Sequence, residues 1–374
     1  MKILLVSDAY YPYPSGVTEY VSNIAKYLKS SGHNVHILTL HYDNEESEDG
    51  IIRVAYCKLF NLNGTRVTLP WSINISSEVK RVMDKGEYDI VHLCGPFFPN
   101  ISHFALKYSR FPNVATFLSV SSSIYKPVSY MYNIPFSYYN SKIDVRIGIS
   151  RVAIDFIKPF FPGEYKLIPI GVDTERFNPD LNTYKTMQRK DKKLKILFLG
   201  RLDERKGLDI LLKALSRLNK DIDYFLYIAG TSMKSKKYEI MAKEYKIPVK
   251  FLGFVSNKDI GKIFASADIY CSPAKRGETY GIVLIEAMAS GTPIIASNIS
   301  GYSTVIKNNY NGILSKPNPE SFKEAIEKLA TDKALQYRLK INGISYSKLI
   351  DWKRIIKKIE KEYENAIIIA RKRL

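Results

Sequence analysis

Apolar residues along this chain fall into short runs that alternate with amphipathic stretches of helical period. Residues 2–7 form a brief apolar run that reads as a buried strand. After the loop Ala9–Gly16, Val17, Val21, Ile24, Ala25 and Leu28 share one face of a helix that stops at Ser31-Gly32. The run 33–40 gives the next strand, so the chain opens with a βαβ unit and its right-handed crossover. Further strands are expected over 51–57, 90–93, 114–117, 145–149 and 166–170, with a helix over 75–83 carrying Lys80 and Arg81 beside Trp71. The stretch 173–193 is an ordered connection that becomes polar and charged, and it reads as a linker. A second series follows: strands at 195–199, 224–229, 249–252, 268–271 and 293–297, and a helix bearing Leu208, Leu211, Leu212, Leu215 and Leu218. A final helix, about 351–370, places Trp352, Ile355, Ile356, Ile359, Tyr363 and Ile367 on one face and a dense set of charges on the other. The pattern predicts an α/β protein of two doubly wound domains, at 1–172 and 194–350, with the helix 351–374 returning to the first.

Within the second series, Arg276-Gly-Glu-Thr-Tyr-Gly-Ile-Val-Leu-Ile-Glu286 runs from a glycine loop into an apolar helix that Gly291-Thr-Pro293 stops. A helix beginning near Gly281 leaves Glu278 in the loop and puts Glu286 one turn inside. The amides of Gly281 and Ile282 then face the space between two carboxylates. Open amides attract phosphate, and a carboxylate within reach of ribose hydroxyls suits a nucleotide. Either Glu alone would be an ordinary solvated acid. Gly200-Arg-Leu-Asp-Glu-Arg-Lys-Gly207 follows the first strand of this domain, where such sheets bind ligands. Arg201 offers a planar fork and Lys206 a point charge, a pair suited to a departing diphosphate. In a very basic protein, the alternative is a solvated basic loop.

Composition changes the picture in one respect. With 374 residues, 45% hydrophobic and 25% charged, the chain is ordinary for two soluble domains, but its net charge of +19 is not. Such a charge draws nucleic acid, an acidic membrane surface or phosphorylated small molecules. Lys80, Arg81 and the tyrosine-rich stretch 123–139 suit docking on acidic lipid, with tyrosines packed on a helix as the alternative for the latter. No basic cluster is interleaved with aromatics in a nucleic-acid motif. Cys57, Cys94 and Cys271 are isolated, which fits neither a disulfide framework nor a metal site and favours a reducing compartment. The run 1–7 ends at Asp8 and is too short for a leader, and no run of apolar residues is long enough to span a bilayer. Asp221-Ile-Asp223 has the spacing of some metal-dependent sugar transferases but precedes a strand, so it reads as a turn. His92 sits near a strand end, where a ligand role stays open. There is no Walker A and no G-x-G-x-x-G.

These motifs carry a resemblance. Pro14-Ser-Gly-Val17, Ile168-Pro-Ile-Gly-Val-Asp173, Gly200–Gly207, Phe251-Leu-Gly-Phe-Val255, Glu278–Glu286 with Ala287–Pro293, and Asp351-Trp352 together resemble the retaining glycosyltransferases of family 4 over essentially the whole chain. Within that family, Gly277–Val283, His92-Leu-x-x-Pro96 and the Lys80-Arg81 helix look most like phosphatidylinositol mannosyltransferases. The resemblance implies the GT-B fold, two Rossmann-like domains whose parallel sheets face a central cleft. It implies a metal-independent, retaining transfer of mannose or glucose from a GDP- or UDP-hexose to a lipid or lipid-linked acceptor, at the cytoplasmic face of the membrane. No cofactor and no nucleic acid would be involved. Catalysis would fall to Glu278, Arg201 and Lys206. The donor would meet Gly16, Arg201, Lys206, Glu278, Thr279, Tyr280, Gly281, Ile282 and Glu286, with Glu286 on the ribose and Glu278 by the sugar. Two residues depart from the family pattern: Leu118 stands where a histidine often touches the donor sugar, with Ser119, Ser121 and Ser122 as nearby hydroxyls, and Ile170 stands where Asn often precedes the glycine. The other readings are a soluble transferase acting on a non-lipid sugar and a non-catalytic basic binding module.

Overall fold

The computed structural model describes the chain except residues 14, 46, 63–64, 73, 96–99, 119–137, 189, 233–234 and 374, and the side chains of 58–62 and 65–71. Pro14, the side chain of Trp71, Pro96, Ser119, Ser121, Ser122 and most of the tyrosine-rich stretch therefore lie outside what is described. The chain divides into two units, 1–170 with 352–374, and 171–351.

In the first unit, β1 (Lys2–Val6) leads through α1 (Gly16–Ser30) to β2 (Asn34–His41) and β3 (Ile51–Leu62). Then come β4 (Thr65–Trp71), α2 (Ile75–Lys85), β5 (Ile90–Cys94), α3 (Ile101–Tyr108), β6 (Asn113–Phe117), β7 (Val145–Gly148), α4 (Arg151–Ile157) and β8 (Tyr165–Leu167). The strands form one sheet in the order β4-β3-β2-β1-β5-β6-β7-β8. Pairing is parallel except at the edge, where β4 lies antiparallel to β3 with Tyr56 opposite Trp71. The strand expected over 51–57 is the first half of β3, whereas β4 is not among the expected strands. The sequence Asn63-Gly64 between two β-rich runs is the turn signal that predicts it. Alternate residues of each strand face opposite layers. Leu4, Val6, Val91, Leu93, Ala115 and Phe117 pack in one core with Ile75, Val79 and Met83 of α2 and Ile101 and Ala105 of α3.

The second unit contains β9 (Leu194–Leu199), α5 (Leu208–Leu215), β10 (Tyr224–Ala229), α6 (Ser235–Glu244), β11 (Val249–Gly253), α7 (Ile260–Ala265) and β12 (Ile269–Ser272). It continues with α8 (Ile282–Ala289), β13 (Ile294–Ser297), β14 (Ile313–Ser315), α9 (Pro319–Thr331) and α10 (Lys333–Leu349). Its six parallel strands are ordered β11-β10-β9-β12-β13-β14. Residues 173–193, expected as a linker, belong to this unit. Phe177 is buried against Phe264, Arg176 donates to the Asn257 carbonyl at 2.8 Å, and the Tyr184 amide donates to Ser266 Oγ at 2.7 Å. Thr174 Oγ1 donates to Asp351 Oδ2 at 2.6 Å at the far end of the same unit.

The last helix, α11 (Trp352–Arg373), packs on the first unit, on the face of the sheet that α2 and α3 leave uncovered. Trp352 is 2% exposed, 5.8 Å from the ring of Tyr20 and 6.2 Å from that of Tyr27. His92 lies beneath it, fully buried, with Nδ1 2.7 Å from Tyr363 Oη and Nε2 2.7 Å from Thr116 Oγ1. Burial pushes its pKa down to about 3, so the imidazole is neutral and serves the core. The open ligand role for His92 is thereby closed: both ring nitrogens are already used.

Candidate active site

In an open parallel sheet, ligands bind beyond the carboxyl ends of the two strands where the winding reverses. In the second unit those strands are β9 and β12, which pair directly, Ile196 opposite Ile269. The two loops that leave them are 200–207 and 273–281, and their backbones are in near contact. Gly207 has φ +71, and a Cβ there would come within 2.0 Å of the Pro273 carbonyl oxygen. Only glycine fits this crossing. The Lys275 amide donates to the Arg205 carbonyl at 2.8 Å and joins the loops further.

The side chains of both loops converge on one carboxylate. Glu278 Oε1 accepts from Lys206 Nζ at 2.8 Å and from Arg205 Nη1 at 2.5 Å. The same Arg205 nitrogen donates to the Gly277 carbonyl at 3.0 Å. The three side chains are only 13–20% exposed. Burial, the largest single influence, works to raise the Glu278 pKa. Lys206 and Arg205 together outweigh it and hold the carboxyl below the ordinary glutamate value. One buried anion thus faces two cations, leaving a local surplus of positive charge for an anionic ligand.

Helix α8 opens beside this cluster. Its first turn has Gly281 as cap, with φ +94, and no side chain caps it. Glu286 sits in the second turn, half-buried. The fields of Glu278 and Glu286 both act on the Tyr270 hydroxyl, which donates to the Leu199 carbonyl at the end of β9 at 3.2 Å and whose pKa is raised chiefly by burial. Both acids therefore lie near the carboxyl end of β9. Beneath the loop, Tyr302 shares a 2.7 Å hydrogen bond with Ser272, and its ring would lie 2.9 Å from a Cβ at Gly281. Gly301 is tighter still: a Cβ there would fall 1.9 Å from the Glu278 carbonyl oxygen.

Lys206, Glu278, Thr279, Gly281, Ile282 and Glu286 are thus gathered around one strand end. Arg201 is more distant in character: its side chain is 46% exposed, with Nε 3.5 Å from Asp203 Oδ2. Tyr280 is 4% exposed and its hydroxyl pairs with Tyr346, so its ring belongs to the core. Arg205 is the residue that sequence reasoning missed. It lies in the same basic run as Lys206, but nothing in the run says which cation turns toward the other loop. Asp221 and Asp223 precede β10 at the amino end of the sheet, and Asp223 pairs with Lys193 at 2.8 Å.

Gly16 belongs to the first unit, where it begins α1 behind the cap Ser15, whose Oγ accepts from the Thr18 amide at 3.1 Å. The winding of that sheet reverses between β1 and β5. Asp8 stands there, accepting from the Ile101 amide at 3.0 Å, and enclosure of its carboxyl raises its pKa to about 7. The sequence gives it no distinction beyond ending an apolar run. Leu118 is 7% exposed just after β6, and Ile170 is 5% exposed. On α2, Lys80 is ion-paired with Asp84.

Two family models cover the chain: Glycosyltransferase Family 4 matches residues 14–176, and Glycosyl transferases group 1 matches 183–346. A phosphatidyl-myo-inositol mannosyltransferase of Mycolicibacterium smegmatis is 31% identical over 82% of this chain and 78% of its own. The chain belongs to glycosyltransferase family 4. Among solved structures, a glycosyltransferase of Rickettsia africae superposes with a TM-score of 0.80 at 22% identity, covering 98% of both chains. The Anabaena protein HepE, in complex with UDP and glucose, does so with 0.75 at 18% identity over 97% of this chain and 99% of its own. The fold of this glycosyltransferase is accordingly GT-B, with two parallel-sheet Rossmann-like domains. Among its described residues no helix is long and apolar enough to cross a membrane.

Proposed function

We propose that this glycosyltransferase moves mannose or glucose from a GDP- or UDP-hexose to a lipid or lipid-linked acceptor at the inner membrane face, retaining the anomeric configuration. The observation that carries the donor half is the cluster at the β9–β12 switch point, where Glu278 is shared by Lys206 and Arg205. A diphosphate arriving there competes with Glu278 for Lys206 and is neutralised by it. Arg201, exposed at the loop edge, adds a second, planar donor to the same oxygens. The amides that open α8 face the diphosphate, and Glu286 accepts from the ribose hydroxyls. Glu278, released from Lys206 but still held by Arg205, turns its carboxylate to the sugar hydroxyls.

As the anomeric C–O bond breaks, the departing diphosphate takes the electron pair while fixed cations and amides stabilise its charge. The acceptor hydroxyl attacks the same face of the sugar and its proton leaves with the diphosphate oxygen. These residues do this without calling on a metal or cofactor. The acceptor half is supported by the mannosyltransferase relatives and by the +19 charge, which favours an anionic surface. Nucleotide release measured across a panel of GDP- and UDP-sugars tests the reading. Release from one hexose donor, lost in Lys206→Ala and Glu286→Ala with folding intact, is expected. Full activity in either variant would overturn the site.

A further inference from the structure

The solvent face of α11 is a cationic strip with an aliphatic centre. At 100° per residue, Arg354, Lys357, Lys361 and Lys372 all project within about 40° of Ile368. All four cations are exposed, and Ile368 is 52% and its neighbour Ile369 44% exposed. Of the acids on this helix, Glu360 is bonded to His33 at 3.0 Å and Glu362 is 8% exposed, which leaves Glu364 as the exposed carboxylate. Arg371 and Lys372 extend the charge past the isoleucines, and on the adjoining helix α1 Lys26 and Lys29 are also exposed. The inward face needs none of these side chains, since Trp352, Ile355, Ile359 and Tyr363 already fill the core.

Helix α2, which carries Lys80 and Arg81, is a weaker candidate for the same partner. Lys80 is paired with Asp84, and exposed Glu87 and Asp89 follow the helix. The two helices also cover opposite faces of one sheet. Alternation places Leu93 and Phe117 with α2, and His92 and Thr116 with α11. A flat bilayer can lie along one of these faces, not both.

We propose that α11, with the exposed lysines of α1, is the face that docks this enzyme on an anionic lipid surface. This rests on the membrane-acceptor reading above and moves the contact away from α2. Charge complementarity selects an anionic partner. The aliphatic pair selects lipid over nucleic acid, because isoleucine gains nothing on a phosphate backbone but gains by entering the acyl boundary. The cations draw the helix down and Ile368 inserts, with Ile369, about 100° round the helix, at the edge of the contact.

Co-sedimentation of the full chain with phosphatidylcholine vesicles, with and without phosphatidylglycerol, tests this. Three variants accompany the parent: Lys357→Glu with Lys361→Glu, Ile368→Ser, and Lys80→Glu with Arg81→Glu. The parent should bind only the phosphatidylglycerol vesicles, more weakly as salt rises. The α11 charge variant should lose about tenfold or more in partitioning. Ile368→Ser should lose about threefold or more with its salt dependence unchanged. The α2 variant should stay within about twofold of the parent. Nucleotide release in solution, unchanged in all three, shows that they fold. Parent-like binding by both α11 variants, or loss confined to the α2 variant, overturns the proposal while leaving the lipid acceptor standing. A parent that turns over donor yet never sediments overturns both. Release of the parent from vesicles by duplex oligonucleotide, with Ile368→Ser equally retained on it, would assign the strip to nucleic acid.

Discussion

Replacing Glu278 by Gln separates the two things its carboxylate does. It offsets Arg205 and Lys206 at 2.5 and 2.8 Å, all three side chains being 13–20% exposed. At an effective dielectric of ~20, unit charges 2.8 Å apart attract by roughly 6 kcal/mol, most of it cancelled by their desolvation. The cost of removing one partner is mainly that of the cations left behind, about 3–5 kcal/mol when fully buried. Residual exposure here favours the lower end, about 3 kcal/mol. For a unit the size of 171–351, that lowers the melting temperature by roughly 6–12 °C.

The same change should help a diphosphate. Lys206 and Arg205 no longer have an internal anion, so nucleoside diphosphate meets no competitor, and its affinity should rise about tenfold, or ~1.4 kcal/mol. Transfer should fall by about two orders of magnitude or more, since the carboxylate beside the sugar is gone. Calorimetry and nucleotide titration would thus show lower stability, tighter product binding and slower turnover in one variant. The pH dependence gives a further check. The folded-state pKa of Glu278 is depressed, so its stabilisation is present above the ordinary glutamate pKa and lost as pH falls through the folded value. The parent should lose this increment in acid; the Gln variant has none to lose. A Glu278→Gln protein that melts lower and also binds nucleoside diphosphate more weakly would refute the reasoning, because the carboxylate would then be holding the site together and not competing for it.

Gly301→Ala should destabilise the second unit by more than the about 1–3 kcal/mol of ordinary overpacking, because the new methyl lies 1.9 Å from the Glu278 carbonyl and backbone must move. Thermal melting and nucleotide affinity should both fall; an unchanged affinity would show that the 277–281 loop does not depend on this contact. Asp8 has a folded pKa of about 7 against an ordinary 3.8, so the stability it confers is present below the ordinary value and lost as pH rises through 7. That loss is at most about 4 kcal/mol, and denaturant titrations between pH 4 and 8 should show it in the parent and not in Asp8→Asn.

Most of the architecture was legible because the strands of a doubly wound sheet are continuous apolar runs, and β9, β10 and β5 show this period directly. Of the edge hairpin only the start of β3 was read as a strand, since the continuation through β4 is interrupted by Lys58, Arg66 and Pro70. At the site, the positions of Glu278, Gly281 and Glu286 followed from a loop entering a helix. What could not follow was the choice between cations. Arg201, Arg205 and Lys206 share one basic run, and only the turn at 204–206, ending at Gly207 with φ +71, points Arg205 and Lys206 at the other loop while Arg201 remains exposed. Tyr280 shows the same limit: sequence marks it as part of the motif, and only the structure shows that its ring is 4% exposed.

The same place in the two sheets carries opposite electrostatics, and that contrast says more than the fold does. Beyond β9 and β12, one acid meets two cations and is held ionised below its ordinary pKa. Beyond β1 and β5, Asp8 meets neutral donors among the described residues, the Ile101 amide, Asn100 and its own amide, and burial lifts its pKa to about 7. A diphosphate gains charge neutralisation at the first and meets a growing negative charge at the second as pH rises through neutrality. Two Rossmann-like units of similar topology are therefore not interchangeable as anion sites. The geometry offers each a ligand position, but function attaches to the charges placed there. Here the balance of Arg205 and Lys206 over Glu278 gives the second unit the electrostatics that the proposed donor site requires.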